Sequence, residues 1–317
     1  MEDSPDGTLR KVGVEIEFAA LSARQSADLV QQCFGGELHE LDDHRFQVVN
    51  TELGDFLTEL DTQYAHPGWL EGDGEKSQDA ALAALRGSLT STLGTISSVV
   101  VPCEIVCPPV PLAKLEALEE LVARLRRAGA KGTEDSVFYA FGLHLNVEIA
   151  GDQSDDLTAI LKSYLLMSDW LREEIAIDVT RRLLSYTNPF PPIYVEKVLA
   201  ASYWPAMRHL IADYLEYNPT RNRELDMLPL FAHIDEDYVR ATLPDERIGK
   251  RPTFHYRLPN FSLSASSTPL QDEWNRWVQV EHLAQDLAKL AEMADDYLAL
   301  REKNPELWAG RAADWLS

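Results

Sequence analysis

The sequence predicts an α+β fold built on an antiparallel or mixed β-sheet with one polar face, and three observations carry that reading. Several segments alternate apolar and polar residues with period two, short connections join the early ones, and the pattern turns mostly helical beyond Gly151. A doubly wound parallel sheet, buried on both faces, would show continuous apolar runs instead.

The first strand is expected at residues 11–20, KVGVEIEFAA, with Val12, Val14, Ile16 and Phe18 on one face and Gly13, Glu15 and Glu17 on the other. A helix follows at 22–33 and is broken by Gly35 and Gly36. Residues 44–51 and 54–61 read as two strands joined through a hairpin at 50–54. The stretch 65–77, rich in Gly, Asp and Glu, reads as a loop, and the Ala/Leu-rich stretch 79–93 as a helix. A strand at 99–106, interrupted by Pro102 and Glu104, stops at Pro108 and Pro109; a helix at 112–128 precedes Gly132. Residues 140–149 place His144, Asn146 and Glu148 on one strand face and Leu143, Leu145, Val147 and Ile149 on the other.

Helices are then expected at 157–175, 193–199, 204–217, 225–231 and 235–242. One late strand, 253–259, precedes a final helix at 271–303 whose Trp274, Trp277, Leu283, Leu287, Leu290 and Tyr297 recur near helical spacing, a face expected to pack on the rest of the domain. The chain thus reads as one domain over 1–317, with a mostly helical insertion at 151–245 and a C-terminal helix at 271–303.

Composition narrows the function classes. With 29 Lys and Arg against 52 Asp and Glu, the 317 residues carry a formal charge of −23, which argues against nucleic acid and anionic membrane as partners. A hydrophobic content of 45% is enough for a packed core. No stretch approaches the roughly 18–20 apolar residues that cross a bilayer, and the N-terminus lacks the pattern of a signal peptide, so a cytoplasmic location is expected. Cys33, Cys103 and Cys107 fit reduced thiols, and Cys103-x-x-x-Cys107 lacks the second ligand pair of a structural zinc site. Self-association into a homo-oligomer is compatible with the sequence.

On a strand, residues i and i+2 share a face at roughly 6.5–7 Å, so Glu15 and Glu17 are neighbours. Alone, such a pair is most simply a solvated strand face. Glu59 in LTELD, Glu104 in CEIV, and His144 with Asn146 in GLHLN repeat the pattern in other strands. Charged groups inside apolar strands are rarely buried unless paired or metal-bound, so their recurrence points to a site. Glu59 and Asp61 share a face.

Taken as a set, GVEIEF, CEIVCPP, GLHLN and HYRLPN resemble the amidoligase family of the glutamine synthetase-like carboxylate-amine ligase superfamily, from about Lys11 to Asn260. That resemblance implies a sheet whose concave face holds ATP with Mg²⁺ and helices packed on its other side. It also implies activation of a small-molecule or peptide carboxylate as an acyl phosphate, and attack by an amine. Glu15, Glu17 and Glu104 match the family's metal ligands, and His144 its nucleotide- and metal-adjacent histidine. Asn146 stands where relatives often carry a second histidine. Asp61, or Glu59 on the same face, matches a position that relatives use near the substrate. Arg257 matches the arginine of the last strand. His255 departs from the family, occupying the position of an expected glutamate two residues before that arginine, where it can still ligate metal without supplying charge.

Phosphoryl transfer also calls for guanidinium groups that meet phosphate oxygens bidentately. Arg181 and Arg182 are candidates, with a surface pair beside Asp178 as the alternative; Arg221 and Arg223 are candidates, with a loop leading into a helix as theirs. No P-loop, dinucleotide fingerprint or nucleophile elbow is present. Two rival functions remain at this level: a binding or scaffold protein on the same fold, and a metal-dependent hydrolase.

Overall fold

In the computed structural model, residues 3–60, 102–135, 141–176, 187–264, 268–301 and 303–316 are described. The expected loop at 65–77, the expected helix at 79–93, and Asp61, Arg181 and Arg182 lie outside them.

The described strands form one nine-stranded sheet in the order β2-β3-β4-β5-β1-β7-β9-β8, with β6 also paired to β1. The strands are β1 (Lys11–Phe18), β2 (Glu37–Asp42), β3 (Arg45–Val49), β4 (Phe56–Leu60), β5 (Cys103–Val106), β6 (Val110–Pro111), β7 (Leu143–Glu148), β8 (Leu225–Asp226) and β9 (Thr253–Tyr256). Their ladders are antiparallel. The apolar half of each alternation is buried: Val12, Val14, Ile16 and Phe18 on β1, Leu143, Leu145 and Val147 on β7, and Phe254 and Tyr256 on β9.

Helices cover that face. Helix α1 (Ala23–Phe34), opened by a capping box between Ser22 and Gln25, packs on β3 and β4 and stacks Phe34 on Phe56 at 5.3 Å. Helix α2 (Leu115–Arg127) follows, and α3 (Ser154–Glu174) sets Tyr164 edge-on to Tyr256. Trp277 of α8 (Pro269–Gln285) meets both Phe254 and Tyr256. Between these lie α4 (Pro192–Leu199), α5 (Met207–Tyr217), α6 (Leu228–Ile234) and α7 (Glu236–Thr242). The chain continues into α9 (Leu287–Arg301) and α10 (Trp308–Leu316).

Three expectations are corrected. Strand β2 escapes a periodicity reading because it is an edge strand exposed along nearly its whole length, so no apolar alternation marks it. The helix expected from Leu225 begins instead at Leu228, because Pro229 suits the first turn and would disrupt an interior; Leu225 and Asp226 join the sheet as β8. The single helix expected at 271–303 is interrupted at Asp286, whose backbone leaves the helical region and whose side chain accepts from the Lys289 amide at 3.0 Å, capping α9.

Two side features carry measurable predictions. Gly36 turns the chain from α1 into β2 with φ +88°, and a Cβ there would come 2.4 Å from the Val49 carbonyl oxygen. Gly36→Ala is expected to lower the unfolding free energy by more than about 1 kcal/mol in urea titrations. Lys162 on α3 is buried, donates to the Ala200 carbonyl at 3.1 Å and lies 4.6 Å from the Trp204 ring centroid. Burial pulls its pKa down to about 8. Between that value and the usual lysine range the unfolded chain holds a proton that the folded chain has released, so stability rises with pH across this window. The unfolding free energy is expected to gain about 1–3 kcal/mol between pH 8 and 10.5, an increment that Lys162→Met abolishes.

Candidate functional site

The polar half of the alternation faces away from these helices, and strand register decides which groups meet. Glu17 is opposite Glu104, which is opposite Glu59; Glu15 is opposite His144. One step along, Gly13, Asn146, His255 and Asp226 lie in line across β1, β7, β9 and β8. Glu17, His144, Asn146, His255, Asp226 and Arg257 are each no more than 8% exposed. Gly13 makes room in this row, since a Cβ there would stand 3.2 Å from Asn146 Cβ.

Glu15 is the hub. Its Oε2 lies 3.0 Å from His144 Nδ1 and 3.5 Å from His255 Nε2, and its Oε1 accepts from Asn146 Nδ2 at 2.8 Å. Arg251, which sequence reasoning missed, donates through Nε to Asn146 Oδ1 at 2.8 Å and brings Nη2 to 3.8 Å from Glu15 Oε1. Burial by itself would raise the Glu15 pKa, but the charge of His255 and the hydrogen bond with His144 outweigh it and hold the carboxyl well below its usual range. Burial lowers the His144 pKa against the pull of Glu15 and Glu17, with Arg257 adding to the decrease. An ionised carboxylate beside a neutral imidazole is the protonation state that binds a cation.

Glu17 Oε2 accepts from the Gly142 amide at 2.7 Å, and its Oε1 is 3.9 Å from His144 Nε2. Two ligand clusters result: Glu15, His144 and His255, and Glu17, Glu104 and His144, each with its ligand atoms within 4.8 Å of one another. Glu59 joins neither cluster. It sits one strand further out, half-buried, and burial raises its pKa while Arg45 opposes the change.

The arginines divide. Arg257 receives a place at the end of β9 through its backbone amide, which donates to the Glu224 carbonyl at 2.9 Å, while its Nη1 donates to the Arg221 carbonyl at 2.6 Å. Burial lowers the Arg221 pKa and the Arg257 charge lowers it further, with Asp226 opposing. The Arg257 guanidinium thus lies against the Arg221 backbone, and the two positive charges oppose each other, a repulsion that an anion would relieve. Arg223 points elsewhere, donating to the carbonyls of Pro189 at 2.6 Å and Tyr217 at 3.4 Å and lying 5.9 Å from the Phe190 ring centroid.

Asp226, the other residue missed from sequence, is fully buried, with Oδ1 accepting from the Leu228 amide at 2.9 Å and Oδ2 lying 3.9 Å from His255 Nδ1. Its signal was hidden by the helix expected over 225–231. Cys103 and Cys107 are buried, and burial pushes the Cys103 thiol up to about 12, so both serve as small core residues. Among the described residues, no helix is long and apolar enough to cross a membrane.

A family model described as "Putative amidoligase enzyme" matches residues 8–279, a span that contains every polar group of this face. No curated protein and no solved structure matches the chain.

Proposed function

The chain belongs to the amidoligase family, and from that premise we propose that it is an ATP- and Mg²⁺-dependent carboxylate-amine ligase acting through an acyl phosphate. The observation that carries this reading is the convergence of Glu15, Glu17, Glu104, His144 and His255 into two adjoining ligand clusters, with Arg257 close enough to act on His144.

Glu17 and Glu104 offer carboxylate oxygens, the ligands Mg²⁺ requires, and would hold it. When bound, Mg²⁺ supplies neutralisation and orientation of the nucleotide phosphates. Arg257 and Arg221 would hold phosphate oxygens, and the sheet face would align the two substrates. In the balanced sequence, a substrate carboxylate oxygen bonds to the γ-phosphorus as the bond to the bridging oxygen breaks and ADP departs. The amine nitrogen then bonds to the acyl carbon, the phosphate leaves with its oxygen, and the amine loses a proton. Positioning and electrostatic preorganisation, rather than a covalent enzyme group, account for the acceleration.

ADP release with Mg²⁺, measured over panels of amines and carboxylates with the amide product identified by mass, is the direct test. Failure of the protein to bind ATP with Mg²⁺ overturns the reading. Turnover with metal and water alone would instead identify a hydrolase, and a melting temperature unmoved by nucleotide would favour a binding protein.

A further inference from the structure

We infer that the cluster of Glu15, His144 and His255 is a site for a borderline divalent transition metal, with Zn²⁺ as the probe, distinct in selectivity from the carboxylate pair that would hold Mg²⁺. The inference rests on the metal-dependent ligase reading and departs from it at one point. Mg²⁺ takes oxygen ligands and near-ideal octahedral geometry, whereas two imidazoles and one carboxylate are the donor set of Zn²⁺ and its neighbours.

Three observations support it. First, both histidines are buried, at 5% and 4% exposure, and come from adjacent strands, so their separation is fixed by the β7–β9 ladder. Their rings meet edge to face at 5.3 Å between centroids. Second, His255 Nε2 is buried and, among the described residues, makes no well-aligned hydrogen bond, while standing 3.5 Å from Glu15 Oε2. A buried imidazole nitrogen and a carboxylate oxygen facing each other at the outer limit of hydrogen-bond distance are two donors that a cation between them would draw together. Third, the opposite nitrogen, Nδ1, faces Asp226 Oδ2 at 3.9 Å, and among the described residues that buried oxygen has no hydrogen-bond partner. Metal-bound imidazoles commonly direct their other ring N–H to a carboxylate, which fixes the tautomer that leaves Nε2 free to coordinate.

The arrangement also resolves the sharing of His144. A neutral imidazole has one lone pair to give, so His144 can serve only one of the two clusters at a time. Assigned to Glu15 and His255, it completes a three-ligand site with open positions, the stoichiometry of catalytic zinc rather than structural zinc. Glu17 and Glu104 then remain as the oxygen donors of the second cluster.

The test uses the full chain stripped of metal and titrated calorimetrically with Zn²⁺ and, separately, with Mg²⁺. One Zn²⁺ per chain is expected, bound at least about 100-fold more tightly than Mg²⁺. His255→Glu is expected to lower the Zn²⁺ to Mg²⁺ affinity ratio by about tenfold or more, and Asp226→Asn to weaken Zn²⁺ by about 10–100-fold through loss of the imidazole's orienting partner. Because a buried substitution can unfold the chain, the unmodified protein loaded with one equivalent of Cu²⁺ supplies an independent count of ligands by pulsed paramagnetic resonance, with two imidazole nitrogens expected. Equal affinity for Zn²⁺ and Mg²⁺, an unchanged ratio in a folded His255→Glu protein, or fewer than two coordinated imidazoles overturns the inference. Zn²⁺ binding that depends on His255 in a protein unable to bind ATP would retain this site and remove the ligase reading; the converse pattern would do the opposite.

Discussion

Replacing Glu15 by glutamine is expected to lower ligase turnover by about three orders of magnitude while the chain still folds. The substitution keeps the size of the side chain and an oxygen able to accept from Asn146, the partner now at 2.8 Å. It removes the negative charge on which the face is organised. His144 at 3.0 Å, His255 at 3.5 Å and Arg251 at 3.8 Å all converge on this one carboxylate, so its loss leaves cationic or metal-bound neighbours without a counter-charge. The cost to folding should stay near about 1–3 kcal/mol, the range for a hydrogen bond to a charged group. The catalytic loss should exceed it, since a removed electrostatic contact in a preorganised site alone costs about 10²–10³ in rate and here a metal ligand goes with it. Turnover, metal affinity by calorimetry and the melting temperature measured on one preparation separate the two effects. A folded Glu15→Gln protein with turnover within tenfold of the parent would remove Glu15 from the mechanism.

What the sequence shows of this site follows from what a single strand can reveal. Period two puts Glu15 and Glu17 on one face of β1, and His144 and Asn146 on one face of β7, without knowledge of any neighbour. Their convergence is another matter, because it requires β5, β1, β7 and β9 to lie side by side in that order although β5 and β9 are far apart in the chain. Register then decides membership. Glu59 satisfies every local criterion that Glu104 does, yet it stands one strand further from β1, paired with Glu104 rather than with Glu17. Arg221 and Arg223 look equivalent in NPTRNR, but the local path of the chain sets one near Arg257 and the other against the Pro189 and Tyr217 carbonyls. Asp226 and Arg251 are illegible for a different reason. A two-residue strand has no period to detect, and Arg251 acts from the residues just before β9, where its neighbours are set by the sheet and not by the sequence around it.

The order of the strands also grades the charge of the polar face. Carboxylates occupy β4, β5 and β1, imidazoles β7 and β9, and guanidinium groups the end of β9 and the approach to β8, where Asp226 adds one buried carboxylate beside His255. A chain of net charge −23 thereby sets carboxylate and imidazole donors and guanidinium groups on one sheet, which under the proposed function would meet a cation and an anion respectively. A metal–nucleotide complex has both requirements, and a bare metal hydrolase has no equal need of the second.

Arg257→Ala tests the anion-binding side, and its expected result is a loss of about 10³-fold or more in turnover with affinity for the metal probe nearly unchanged. The magnitude is that of a guanidinium that stabilises charge on a transferring phosphoryl group. The loss should fall on kcat, because an interaction strengthened in the transition state lowers the barrier without an equal change in ground-state binding. Arg257→Lys should recover little, since an ammonium is a point charge that cannot reproduce a planar, bidentate contact. Arg223→Ala is the informative contrast. Its guanidinium is engaged with backbone carbonyls and the Phe190 ring, so removing it should cost about 1–2 kcal/mol of stability while turnover stays within about tenfold. If Arg257→Ala and Arg223→Ala instead depress kcat alike in proportion to their loss of stability, Arg257 serves the fold alone, through its bonds to the Glu224 and Arg221 backbone, and the phosphate would have to be held by Arg221 or Arg251.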